Sequence, residues 1–302
     1  MIKQWWQHKE KAGMLTLRLT CFLVACLPRV LLDVIVFFVS LVYYLVSKNE
    51  RENVKFYLSL LKRRGVKTGF AFLNFYNFAQ SIVDKILVWK GKITQHDLVI
   101  VDERKIKNEL KDTKKGHLFL VSHFGNIDAA RAVSTELDWL DITILLYSKH
   151  SANFNKLINQ ISVREIKILE VSELGINEML ELKRIIDSGK HIGIMGDRVP
   201  VHGDKSVSVD FLGRECKFSV GAFVLASILK CKISTFWAVK NDKKYEISFN
   251  LLADEVVLGR DKINDARVYL HKYLDEFEAM CEKYPNQFFN FYDFWQVKSE
   301  RV

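Results

Sequence analysis

Seventeen consecutive residues, Val30 to Val46, carry a single charge, Asp33, and a single serine, Ser40, in an otherwise apolar run. As a helix this run is about 25 Å long, short of the roughly 30 Å hydrocarbon core of a bilayer. Cations flank it on both sides: Met1 to Gly65 holds eleven Lys and Arg against four acids, so +7 of the chain's net +9 lies in that segment. With both flanks basic the positive-inside rule gives no direction, and a re-entrant or in-plane anchor fits better than a simple span. Val30, Phe37, Phe38, Tyr43 and Tyr44 are the expected membrane-contacting residues, with Trp5 and Trp6 as interface anchors. The segment from Glu50 to Arg64 places Val54, Tyr57, Leu58 and Leu61 at helical spacing, with Arg51, Lys55 and Lys62 away from that face, as an interfacial helix does. Pro28, Arg29 and Asp33 interrupt the apolar stretch and no small-residue cleavage pattern follows, which argues against a cleaved signal peptide. An anionic membrane surface is therefore the expected partner. No nucleic-acid partner is expected, because basic stripes interleaved with stacking aromatics do not recur along the chain.

The remaining chain is long enough for a large core: 49% of the 302 residues are hydrophobic and only 3 are proline. This divides the sequence into an anchoring, helical segment over residues 1–65 and a folded domain over 66–302. Five cysteines, Cys21, Cys26, Cys216, Cys231 and Cys281, are an odd number, and none sits in a CxxC or a Cys/His cluster of metal-ligand spacing. They read as reduced thiols in a chain whose bulk faces the cytoplasm, and neither a metal nor a cofactor is expected.

From about Gly116 the pattern becomes α/β. Short apolar runs at His117–Val121, Ile142–Tyr147, His191–Met195 and Ile233–Val239 alternate with helical stretches beginning near Ile127, Ala152, Asn177 and Ser219. Lys243–Asn250 is a further strand candidate. Ile263–Lys283 reads as a helix with Val268, Leu270, Tyr273, Leu274, Phe277 and Met280 on its apolar side. The expected fold is a mixed sheet covered by helices on both faces, preceded by a membrane-associating helical segment.

The chemistry concentrates at the end of the first run, Val121-Ser-His123-Phe-Gly125-Asn126-Ile-Asp128. Ligands of open α/β sheets bind beyond the carboxyl ends of strands, where His123 falls. Gly125 and Asn126 allow a sharp turn, and Asn126 is expected to cap the next helix, with Asp128 in its first turn. Across such a turn Asp128 reaches the imidazole, fixes its tautomer and stabilises the imidazolium formed when the ring removes a proton from a hydroxyl or amine. The alternatives are that Asp128 only complements the helix dipole and that His123 is a satisfied strand-end histidine. A second strand, His191–Met195, runs into Gly196, Asp197, Arg198 and Pro200, followed by Val207 to Gly213.

Together these segments resemble the lysophospholipid acyltransferase superfamily, and within it the branch of the late acyltransferases of lipid A biosynthesis. The His-x4-acid block matches His123 and Asp128; the Gly-Asp-Arg block matches Gly196, Asp197 and Arg198; the F-x-G that follows matches Phe211 and Gly213. Leu145 to Asn155, with Lys149 and Asn155, is similar to the middle block, although many members carry arginine where Lys149 stands. The closing Phe289-Asn-Phe-Tyr-Asp-Phe-Trp295 has the look of the branch's C-terminus. The strand after the fourth block lacks the proline that relatives often carry.

The resemblance implies a membrane-associated acyltransferase at the cytoplasmic face of a bacterial inner membrane. The donor would be an acyl thioester of acyl carrier protein or coenzyme A, and the acceptor a hydroxyl or amine of a lipid or glycolipid. His123 would be the general base, oriented by Asp128. Gly196, Asp197, Arg198, Arg131, Lys149 and Asn155 would bind substrate, with Arg198, Arg131 and Lys149 on phosphates of headgroup or carrier, and backbone N–H groups of Gly193 and Gly196 beside Arg198 would stabilise the oxyanion. An acyl thioesterase using the same site and a non-catalytic membrane-bound lipid-binding protein are the competing readings.

Overall fold

The computed structural model describes residues 14–111, 114–129, 140–146, 167–170, 175–199 and 206–296. The chain opens with α1 (Met14–Cys26), α2 (Arg29–Val46), α3 (Lys48–Arg63) and α4 (Ala71–Trp89). A sheet then forms from β1 (Leu98–Ile100), β2 (His117–Val121), β3 (Ile142–Leu146), β4 (Ile168–Glu170), β5 (His191–Met195), β8 (Lys232–Asn241) and β9 (Lys244–Ala253). A separate hairpin pairs β6 (Ser206–Phe211) with β7 (Arg214–Ser219). The remaining described helices are α5 (Glu103–Leu110), α6 (Ile176–Asp187), α7 (Gly221–Leu229) and α8 (Lys262–Lys283).

The seven strands lie in the order β1-β9-β8-β2-β5-β3-β4, all neighbours parallel except the antiparallel β8–β9 pair. The sheet is buried on both faces, and this is why β2 reads as an apolar run rather than an alternation. Leu118 and Leu120 enter one core cluster with α3, α6, α7 and α8; Phe119 and Val121 enter another with α5, Phe236 and Phe249. The expected α/β class with helices on both faces is what the chain adopts. The apolar side of α8 is buried at Leu270, Tyr273, Leu274 and Phe277, but Val268, expected on that side, is exposed.

Two features of the N-terminal segment differ from expectation. Val54, Tyr57, Leu58 and Leu61 of α3 are buried in the cluster shared with the sheet, so the face expected at a bilayer is occupied by protein core. Amphipathic spacing has the same period whichever apolar phase covers it. The second difference concerns the face of α2 that packs along α4, which includes Tyr44. Leu32 and Val36 pack with Val83, Ile86 and Trp89, while Val30, Phe37, Phe38, Val42, Tyr43 and Leu45 are exposed. Tyr44, expected with that outer set, turns inward with its ring edge on to Phe72 and Phe75. α2 is long and apolar enough to cross a membrane by length and composition. Trp5 and Trp6 lie outside the described residues.

At the amino ends of β2, β5 and β8 a wholly buried histidine pair is held in the neutral form. The His117 backbone N–H donates to His191 Nδ1 at 3.0 Å, and His117 Nδ1 lies 2.9 Å from Ser234 Oγ. Burial, reinforced for His117 by the neighbouring His191 and Lys232, lowers the two pKa values from 6.5 to about 3 for His117 and about 4 for His191. Both groups take up protons more readily in the unfolded chain, so stability falls as pH drops below about 6.5. Urea denaturation should show a midpoint that decreases between about pH 7 and pH 5, with a loss on the order of a few kcal/mol. A midpoint independent of pH over that interval would show that the pair is not held neutral.

Candidate active site

The site follows from strand register. β2 and β5 are parallel neighbours with Val121 opposite Met195, and two residues beyond this pair stand His123 and Asp197. The Gly196 N–H donates to the Val121 carbonyl at 2.8 Å, extending the ladder by one bond before the chains part. Asp197, 2% exposed, then meets His123 twice: one carboxylate oxygen accepts from the His123 backbone N–H at 3.1 Å, and both oxygens lie 3.0 Å from ring Nδ1. An ionised carboxylate only accepts, so Nδ1 carries the proton and the Nε2 lone pair is left as the base.

Asp128, expected in this role, is engaged elsewhere. Its carboxylate pairs with Lys85 Nζ of α4 at 2.7 Å and accepts from Trp89 Nε1 at 3.2 Å, and the Lys85 ammonium sits 5.1 Å from the centre of the Trp89 ring. The orienting carboxylate of His123 is thus Asp197. Asn126 also differs from its expected capping role: its amide reaches Ser81 O at 3.3 Å and Tyr245 Oη at 3.4 Å. The described part of the following stretch is a single 3-10 turn, Ile127–Ala129.

Electrostatics keep the dyad in the required state. Burial disfavours the imidazolium and the Arg198 charge adds to this, outweighing Asp197, so the pKa of His123 falls below its ordinary 6.5. Burial works to raise the Asp197 carboxyl, but His123 and Arg198 overcome it and its pKa falls below the usual carboxylate range. With its side chain 30% exposed, the imidazole is partly open to an incoming group.

Three backbone bonds hold the loop. Gly125 N–H donates to Gln287 O at 2.9 Å, Asn126 N–H to Ala238 O at 2.8 Å, and Phe289 N–H to His123 O at 2.9 Å. Gly125 adopts φ +64°, and a Cβ there would lie 2.1 Å from Ala238 O, so the turn requires glycine. The aromatic C-terminus thereby forms one wall of the site. Phe289 and Phe291 pack on Phe78 of α4, and the Arg198 guanidinium lies 5.4 Å from the centre of the Tyr292 ring. Phe211 of the F-x-G segment stacks on Trp295, whose Nε1–H donates to Phe211 O at 3.3 Å, and Leu212 and Gly213 make the β6–β7 turn. That motif acts here as core.

The oxyanion donors expected at Gly193 and Gly196 are not available as such: the Gly196 N–H is taken by Val121, and Gly193 lies within β5 between β2 and β3. Arg198 and Lys85 are the cations whose charge His123 feels. Lys85, Gln287 and the Asp197 pairing were not indicated by the local sequence pattern. Lys149, Asn155, Arg131 and Pro200 lie outside the described residues.

The bacterial lipid A biosynthesis acyltransferase family model matches residues 7–296. The chain belongs to this family. Comparison with curated proteins gives no match. The acyltransferase therefore presents a His–Asp pair, His123 and Asp197, at the carboxyl edge of its sheet, with Asp128 of the following 3-10 turn paired to Lys85 of α4.

Asp197→Asn should test the assignment. An asparagine that turns its amide NH2 toward Nδ1 moves the ring proton to Nε2 and blocks the base, so turnover should fall by about two orders of magnitude or more. Asp128→Asn should cost at least about tenfold less than Asp197→Asn. The reverse ranking would return the orienting role to Asp128.

Proposed function

We propose that this acyltransferase moves a fatty acyl group from an acyl thioester to a hydroxyl or amine of a lipid or glycolipid, with His123 as general base. The observation that carries the reading is the His123 imidazole held through Nδ1 by the buried Asp197 carboxylate at the carboxyl ends of parallel strands, which supports a neutral ring with its lone pair on Nε2. Nε2 removes the acceptor proton as its oxygen or nitrogen attacks the thioester carbonyl. The tetrahedral intermediate collapses with cleavage of the C–S bond, and the imidazolium returns its proton to the departing thiolate, leaving an ester or amide and a free thiol. Asp197 stabilises the transient imidazolium, and the Arg198 guanidinium is the group we assign to the developing oxyanion. Acyl carrier protein and coenzyme A thioesters both satisfy this chemistry. Arg198, Arg131 and Lys149 are our candidates for phosphates of donor or headgroup, and Asn155 for a polar group of the substrate.

The membrane reading rests on α2. Its inner stripe is on α4 and its outer face is a continuous exposed apolar band, the arrangement of a helix that enters one leaflet while remaining on its domain. The excess cations of residues 1–65 suit an anionic surface, each contributing about 1 kcal/mol when close to it. We place the protein at the cytoplasmic face of the inner membrane, where thiols remain reduced and acyl thioesters are made. Washing membranes with about 1 M salt screens the charges but not the apolar contact, so the protein should stay bound. Release by salt alone would leave only the electrostatic half.

The assay that decides the reaction uses labelled acyl thioester, purified protein and a total bacterial lipid extract. Thioester consumption should be slow with donor alone and accelerate with lipid, because only then is a nucleophile held in line with the carbonyl. His123→Ala should abolish transfer, and the acid limb of the rate should lie below about pH 6.5, following the lowered His123 pKa. Label found in free fatty acid but never in lipid would make the protein a thioesterase; no consumption with either donor would make it a binding protein.

A further inference from the structure

We propose that Asp84 is a positioning residue: a buried ionic hub through which the foot of the apolar helix α2 sets the geometry of the His123 loop. The inference rests on His123 being the reactive group, as argued above. Asp84 lies in α4, 1% exposed and remote from His123 in sequence. Three donors from three other elements converge on it. The Arg29 guanidinium, at the first position of α2, pairs with one carboxylate oxygen; Lys240 Nζ of β8 at 2.6 Å and Tyr245 Oη of β9 at 2.5 Å donate to the other. Burial by itself would raise the Asp84 carboxyl, but Lys240 and Arg29 hold it below the usual carboxylate range, so the hub is charged at neutral pH.

The α2 side of the hub uses every charge in the apolar helix. Arg29 Nε pairs with Asp33 at 2.9 Å, the Gln80 amide donates to Asp33 at 2.9 Å, and the same Gln80 accepts from Arg29. The charge that interrupts the apolar run is therefore part of its seating on α4. On the other side two routes lead from Asp84 to the loop. Tyr245 Oη accepts from the Asn126 amide at 3.4 Å. Lys240 is clamped by Gln287, whose amide accepts from Lys240 N–H at 2.9 Å and donates to Lys240 O at 2.7 Å, and the Gln287 backbone carbonyl holds the Gly125 N–H. Arg29 is thus linked to the turn Gly125–Asn126 that follows His123, by one route through side chains and by a second that ends on the Gln287 backbone carbonyl. A change in the seating of α2, as on entering a bilayer, acts directly on Asp84, and Asp84 acts on both anchors of the turn after His123. None of these residues touches the reacting atoms.

Asp84→Asn removes the carboxylate shared by Lys240 and Arg29, leaving Arg29 with Asp33 alone, and risks the fold, so the test uses Arg29→Met and Arg29→Lys in the full chain. Both are compared with wild type in vesicles of phosphatidylethanolamine and phosphatidylglycerol. The first readout is amide hydrogen exchange in the segment 121–129, compared with β5 at 191–195. Arg29→Met should speed exchange at Gly125 and Asn126 by about tenfold, leave β5 unchanged, and be reversed in Arg29→Lys. The second is acyl transfer from labelled thioester with total lipid extract present: kcat should fall by about tenfold with the donor KM within about twofold. Unchanged exchange at 121–129 in Arg29→Met, or a uniform rise across β5 as well, overturns the proposal, because the pair is then local or merely stabilising. If no transfer is found even for wild type, the functional reading fails while the exchange pattern still decides the coupling.

Discussion

The parallel pairing of β2 with β5 is the constraint on which the site depends. Its register sets Val121 beside Met195, and the two chains leave the ladder one bond later, at Gly196. His123 and Asp197 then have no choice of partner. Because β2 is paired on both edges, by β5 and β8, and buried on both faces, the dyad stands at the end of a fully enclosed strand. The carboxylate binds the histidine through both backbone and ring, so position and tautomer are fixed by one residue. Acyl transfer by a base of this kind gains from such preorganisation, since the pair need not reorient as charge develops.

Around that point the molecule adds the C-terminal segment and α4. The C-terminal segment closes one side of the loop through Phe289 and Gln287, and its aromatic side chains continue into α4. α4 in turn carries the exposed apolar face of α2 on its back. The exposed apolar face of α2 and the His123 site are therefore joined through a single helix, which also supplies Lys85 and Asp84. Residues on either side of position 65 share one core, and α3 contributes to it as fully as α8 does.

The strands of the site were legible because a strand buried on both faces must be an apolar run, and glycine and charged residues mark where it ends. His117–Val121 and His191–Met195 were read with their observed bounds for that reason. His123 was legible from its place after the first of them. Its partner was not, because H-x4-D is a local spacing, whereas the observed pair is 74 residues apart and depends on which strands are neighbours. The apolar face of α3 was misassigned to a membrane because its spacing carries no information on what covers it. Arg29 and Asp33 were read only as interruptions of the apolar stretch, since Gln80 and Asp84, which satisfy them, belong to another helix. Gly125 was expected at a turn, and the close approach of Ala238 O supplies the reason that its side chain must be absent.

The central claim is that His123 is a neutral imidazole with its proton on Nδ1, directed at Asp197, and its lone pair on Nε2. Nitrogen-15 NMR of histidine-labelled protein reads this directly, with the His123 signals assigned by their loss in His123→Ala. At about pH 7 the spectrum should show a protonated Nδ1 and an unprotonated Nε2, with the imidazolium forming only below about pH 6.5. A proton on Nε2 at neutral pH, or a ring already charged there, would contradict the account.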